Sequence, residues 1–92
     1  MRIRFFIDAD TGLPHLYSHN VSEQEAIEVV ESPAFRLKGY NEALLALGQT
    51  SAGRYLKVVY RRNDEEYFVI TAYDLTKKEL KAFKRRNRRK GK

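Results

Sequence analysis

From residue 54 to residue 74 the chain consists of two strand-like runs joined by a turn, and this stretch leaves a small chain few choices. Residues 54–62 (RYLKVVYRR) and 66–74 (EYFVITAYD) are rich in Val, Ile, Tyr and Phe, and Asn63-Asp64 between them tolerates left-handed backbone. An antiparallel hairpin is therefore expected. Two helix starts flank it. Ser22-Glu23-Gln24-Glu25 and Thr76-Lys77-Lys78-Glu79 are both capping boxes, in which a hydroxyl and a glutamate each satisfy a free N–H of the first turn. Val21 with Ala26, and Leu75 with Leu80, stand at the hydrophobic-staple positions. The first helix would bury Ala26, Ile27 and Val30 and end near Ser32-Pro33; the second would dock through Leu80 and Phe83. Residues 2–8 alternate, residues 43–49 read as another strand, and residues 34–38 as a short one. The expected fold is α+β: a single antiparallel sheet of four or five strands with helices packed on one face. One domain over residues 1–83 and a flexible basic tail over 84–92 complete it.

Side chains of a strand alternate between faces, so each strand divides by parity. Ile3, Phe5, Ile7, Leu45, Leu47, Leu56, Val58, Phe68, Ile70 and Ala72 form a uniformly apolar set, expected under the helices. Arg4, Phe6, Tyr55, Lys57, Val59, Arg61, Tyr67, Val69, Thr71 and Tyr73 form the other set, which mixes tyrosines with cations. Tyrosines stack on unpaired bases while Lys and Arg neutralise phosphates, so this face suits single-stranded RNA. A surface for a protein partner and a plain solvated face are the competing readings.

Charge is distributed unevenly. Residues 77–92 carry ten Lys or Arg against one Glu, while the rest of the chain holds eight basic and eleven acidic side chains. A localised polycation on a nearly balanced domain points to a polyanionic partner. The chain has no cysteine, which removes disulfides, thiolate nucleophiles and cysteine-based zinc sites. Asp8 and Asp10 begin a pattern like a calcium loop, but Gly12 comes one position early and no bidentate Glu follows at the right distance, so a polar turn is expected and no metal. Neither a signal peptide nor a membrane span is evident, so a cytoplasmic location and no membrane partner are expected. No phosphate-binding glycine loop, nucleophile elbow or HExxH motif occurs, and no cofactor is expected.

Three segments carry a resemblance. His19-Asn20-Val21 ahead of Ser22-Glu23-Gln24-Glu25-Ala26 is similar to the KHGVSFEEA segment of BrnT-type toxins. Residues 51–60 (SAGRYLKVVY) resemble their GR.LVVVY strand, and residues 68–79 (FVITAYDLTKKE) their IRIISAR.AT..E junction. Ser18 stands where those toxins often carry Lys, and Tyr73 where they carry Arg. The resemblance implies the RelE/ParE superfamily of type II toxin–antitoxin systems: a RelE-like sheet, endoribonuclease activity on mRNA, free or at the ribosome, that inhibits translation, and neutralisation by an acidic or amphipathic antitoxin.

Metal-independent RNA cleavage needs a base for the 2′-OH, an acid for the leaving 5′-oxygen and cations on the phosphate. His19 is the natural base or acid, with His15 a weaker candidate; a structural role beside the helix cap is the alternative for His19. Arg54 is the expected phosphate clamp, against a solvated strand-end arginine. Tyr73 would act as an acid or stack a base. Tyr55, Lys57 and Arg61 on the mixed face, with Lys84, Arg85 and Arg86, are the expected RNA contacts. Two other functions stay open: a non-catalytic RNA- or DNA-binding module, and a degenerate toxin kept as a protein-interaction partner.

Overall fold

The computed structural model describes residues 2–90, with side chains through Arg88. The elements are β1 (Arg2–Phe5), a 3₁₀ turn (His15–His19), α1 (Glu23–Glu31), β2 (Phe35–Lys38), β3 (Leu44–Gln49), β4 (Tyr55–Arg62), β5 (Glu66–Asp74) and α2 (Lys77–Lys90). They form one five-stranded sheet in the order β1-β5-β4-β3-β2. The α+β class is as expected. The β2–β3, β3–β4 and β4–β5 pairings are antiparallel, whereas β1 pairs parallel to β5 and makes the sheet mixed.

Local chemistry sets most of these boundaries. In the first capping box the Ser22 hydroxyl accepts from the Glu25 N–H at 3.1 Å and Glu25 accepts from the Ser22 N–H at 2.9 Å. Thr76 and Glu79 do the same at 3.1 and 2.9 Å. Asn63 turns the central hairpin by accepting from the N–H groups of Glu65 and Glu66, both at 2.9 Å, a side-chain turn in place of left-handed backbone. Left-handed residues appear instead between β2 and β3, where Asn41 and Glu42 have φ of 53° and 64°. This primed turn matches the twist of the strands and leaves Tyr40 92% exposed.

A register shift in the β4–β5 hairpin decides what each face carries. Val58 pairs with Ala72 and Val59 with Thr71, but Tyr60 then pairs with Val69, so Ile70 is an extra residue in β5. Parity reverses there. Ala72 and Val69 are buried together on the α1 face, while Tyr73, Thr71 and Phe68 belong to the other. The expected faces are corrected accordingly: Val69, assigned to the open set, is core, and Phe68, assigned to the core set, shares the opposite face with Arg4. Strand β3 also differs. Ala46 and Gly48 lie against α1, with Val29 Cγ1 3.5 Å from where a Cβ of residue 48 would stand, and Leu45 and Leu47 face the other way.

The core joins Leu16, Val21, Ala26, Val29 and Val30 to Ala46, Leu56, Val58, Tyr60, Val69 and Ala72. Val29 takes the buried place expected for Ile27, and Ile7, expected inside, is 49% exposed beyond the end of β1. Helix α2 lies on the other face, where packing on one face was expected. Phe83 is buried there, its ring edge-on to Phe35 at 5.2 Å and to Tyr55 at 5.4 Å. Residues 84–90, expected as part of a flexible tail, continue this helix; 91 and 92 lie outside the described residues. No helix among the described residues is long and apolar enough to cross a membrane.

Among the α2 residues whose side chains are described, Phe83 is the one that is buried. Phe83→Ala is expected to lower unfolding free energy by about 3 kcal/mol in denaturant titrations. Amide exchange should then accelerate in α2 well before it does in β4 and β5.

Candidate functional site

Where β1 ends, the 3₁₀ turn takes its place beside β5. It is brought there by a tight loop. The Asp8 N–H donates to the Leu13 carbonyl at 2.9 Å, Gly12 (φ 70°) returns a bond to the Asp8 carbonyl at 2.8 Å, and the His15 N–H donates to the Phe6 carbonyl at 2.8 Å. The turn straddles the sheet edge. Leu16 enters the α1-side core, while the imidazoles of His15 and His19 meet rings on the other face.

Those rings form a continuous row. Phe6 lies edge-on to Phe68 at 6.5 Å and to His15 at 6.1 Å; His15 meets His19 at 5.4 Å, and His19 meets Tyr73 at 4.6 Å. Lys57 Nζ stands 5.8 Å from the centre of the Tyr73 ring, and Arg4 covers Phe68 at the opposite end of the row. Beside Tyr73 and Lys57 opens a cleft of about 540 Å³, lined further by Lys38, Tyr40, Leu45 and Val59. Tyr40 stands at its lip because the β2–β3 turn holds it out of the core.

The expected catalytic residues separate into two groups. His19 and Tyr73 are in contact. Arg54 is elsewhere in its bonding: Nε and Nη2 clasp Asp74 at 2.7 and 3.0 Å, and Nη1 reaches the Asn20 carbonyl at 2.7 Å and Glu25 at 3.0 Å. Its guanidinium is held more firmly charged by the Asp74 hydrogen bond, against the opposing effect of burial. To clamp a phosphate it would have to release a carboxylate. A depression of about 560 Å³ does open over it, but its cation is already doubly paired.

The expected RNA contacts also divide. Lys57 faces the cleft while donating to Glu79 at 2.6 Å. That bond, then the Thr76 N–H, holds the Glu79 carboxyl below its usual range. Tyr55 is covered: Phe83 packs on it and Lys84 Nζ lies 5.4 Å from its ring centre. Arg86 similarly caps Phe35 at 4.5 Å. Arg61 and Arg85 are exposed and have no ion pair among the described residues.

Sequence reasoning ranked His15 low and did not join it to Asp8. The His15 Nδ1 lies 2.9 and 3.1 Å from the two Asp8 oxygens. The spacing of His15 and His19, four residues apart, was available in the sequence; the loop closure that brings Asp8 onto His15 was not. Among the described residues no three His, Cys, Asp or Glu side chains converge as a metal set. No protein-family model, curated protein or solved structure matches this chain.

The ion pairs around Arg54 predict an acid limb in stability. The Asp74 carboxyl is held low by its bond from Arg54, and Glu25 first by the Ser22 N–H and then by Arg54. Carboxyls lowered by folding contribute stability that is complete above the ordinary carboxylate range and is lost as pH falls through their depressed values. Arg54→Met should flatten this dependence in melts from pH 3 to pH 7. It should cost about 1–3 kcal/mol at neutral pH, a range kept low because Asp74 is 61% exposed.

Proposed function

We propose that the protein is a metal-independent endoribonuclease of the type II toxin kind, acting on single-stranded mRNA at the α2 face of its sheet. The observation that carries this reading is the contact of His19 with Tyr73, with Lys57 over the same ring, beside an open cleft. An imidazole and a cation, which cleavage at a ribose 2′-OH calls on for proton transfer and charge neutralisation, stand within one nucleotide's reach of an aromatic ring that can stack a base.

In this reading His19 transfers a proton at the scissile phosphodiester. Lys57 neutralises the phosphate; its flexible stem lets the ammonium pivot from Glu79 to an incoming anion. Tyr73 holds the His19 ring edge-on and offers its remaining face to a base. The exposed cations Arg61 and Arg85 add charge without base selectivity. Arg54 supports the site from beneath by tying the end of β5 to the start of α1. The antitoxin is a partner of the same proposal, as are translation inhibition and association with the ribosome.

A second reading is a nucleic-acid-binding or protein-interaction module without catalysis. It is favoured by the engagement of both expected phosphate-binding cations, Arg54 and Lys57, with carboxylates.

Induced expression should arrest growth with fragmentation of mRNA, and purified protein should cleave single-stranded RNA in EDTA. His19→Ala should lower the cleavage rate by about a hundredfold or more with an unchanged melting temperature. Salt-sensitive RNA binding by wild-type protein without any cleavage would select the second reading.

A further inference from the structure

Transesterification of RNA moves two protons, and His19 accounts for one. We infer that His15, positioned by Asp8, is the second acid–base residue, a role Tyr73 would otherwise fill. The inference rests on the ribonuclease reading and assigns within it a pair of histidines.

The geometry that leads to it is independent of the sequence resemblance. An ionised carboxylate can only accept hydrogen bonds, so the His15 nitrogen 2.9 Å from Asp8 is the one that carries the proton in the neutral ring. The other nitrogen, Nε2, is thereby left with its lone pair. No hydrogen bond among the described residues occupies it, and the side chain is 35% exposed. Asp8 fixes both tautomer and ring orientation. The His19 ring makes no hydrogen bond among the described residues and stands 5.4 Å from His15, centre to centre. Among the described residues, the titratable groups in ring or hydrogen-bond contact with the two histidines, apart from each other, are Asp8 and Tyr73. Lys57 and Glu79 stand beyond the tyrosine, and Arg54, bonded to the Asn20 carbonyl, is paired with Asp74 next to it.

His15 Nε2 removes the proton of the ribose 2′-OH as that oxygen bonds to phosphorus. The bond from phosphorus to the 5′-oxygen breaks, its electron pair stays on oxygen, and protonated His19 delivers a proton there. The products are a 2′,3′-cyclic phosphate and a free 5′-OH, with His15 charged and His19 neutral. Proton exchange with water restores both. The two oxygens flank a single phosphorus, so two rings in contact along one 3₁₀ turn can serve them both. Phe6, 44% exposed and edge-on to His15, supplies a surface for the base next to the scissile bond.

The test uses full-length protein, a short single-stranded RNA, and a second RNA whose scissile 5′-oxygen is replaced by sulfur. A thiolate leaves without protonation, so it relieves the need for an acid and not for a base. On ordinary RNA, His15→Gln and His19→Ala should each slow cleavage by about a hundredfold or more, and Asp8→Asn by about tenfold or more. On the sulfur-containing RNA, His19→Ala should recover to within about tenfold of wild type, while His15→Gln should stay at least about a hundredfold slow. The rate profile against pH should lose one limb in each histidine variant. Thermal melts of every variant separate these losses from unfolding, and Asp8→Glu, which keeps the carboxylate, should recover part of the Asp8→Asn loss. Wild-type rates in folded His15→Gln, or a loss in Tyr73→Phe that His15→Gln does not share, would overturn the assignment while leaving the ribonuclease reading intact. Absence of cleavage by wild-type protein would remove that reading, and this inference with it.

Discussion

The Arg54 guanidinium is the joint through which the separate parts of this small fold are held in register. It sits at the start of β4, clasps Asp74 at the end of β5, and reaches across to Asn20 and Glu25 at the entry of α1. The same Glu25 oxygen that accepts from the Ser22 N–H also accepts from Arg54, so the helix cap and the hairpin end share one acceptor. An arginine suits this position because its planar fork can bond two carboxylates and a carbonyl in fixed directions. The consequence extends to the candidate site. Asn20 closes the turn that carries His19, and Asp74 follows Tyr73, so Arg54 ties together the backbones on either side of the His19–Tyr73 contact.

What was legible in the sequence is what depends on a few neighbouring residues. Both capping boxes form because each needs only a hydroxyl and a glutamate three residues apart. The Asn63 turn, the strand runs and the stop at Pro33 are likewise local. The faces of β5 were not legible, because Ile70 enters a bulge that leaves no mark on composition. One extra residue exchanged Phe68 for Val69 on the core side and moved every position before it to the opposite face. In β3 the four apolar residues from Leu44 to Leu47 fit either assignment. The choice fell to size: Ala46 and Gly48 permit the close approach of α1, and Leu45 and Leu47 face the more open side.

The site was legible in its residue types and only partly in its arrangement. His19 and Tyr73 stand 54 residues apart in sequence, and their contact follows from the 3₁₀ turn occupying the edge of β5 that β1 leaves free. The sequence marked Arg54 as a cation of consequence, but its ion pairs depend on three elements meeting at one point. Tyr55 was read as an exposed stacking surface from strand parity, and its face was correct. Its covering by Phe83 and Lys84 depends on which side of the sheet α2 chooses.

That choice also determines whether the polycation can matter to the site. Had α2 packed beside α1, its cations would stand behind the sheet, screened from the His19–Tyr73 row by the full thickness of the fold. Packed on Phe35 and Tyr55, the helix instead brings Lys84, Arg85 and Arg86 to the same side as Lys57, Tyr73 and the two histidines. Interactions between exposed charges fade over about 10 Å at ordinary salt, so proximity on one face decides whether they act on the same phosphate chain. Glu79 ties the helix to this arrangement. Through its carboxylate the first turn of α2 holds Lys57, and an anion that drew Lys57 away would have to compete with that bond. If the proposed reading holds, phosphate binding at the cleft and the anchoring of the basic helix would be coupled through one lysine.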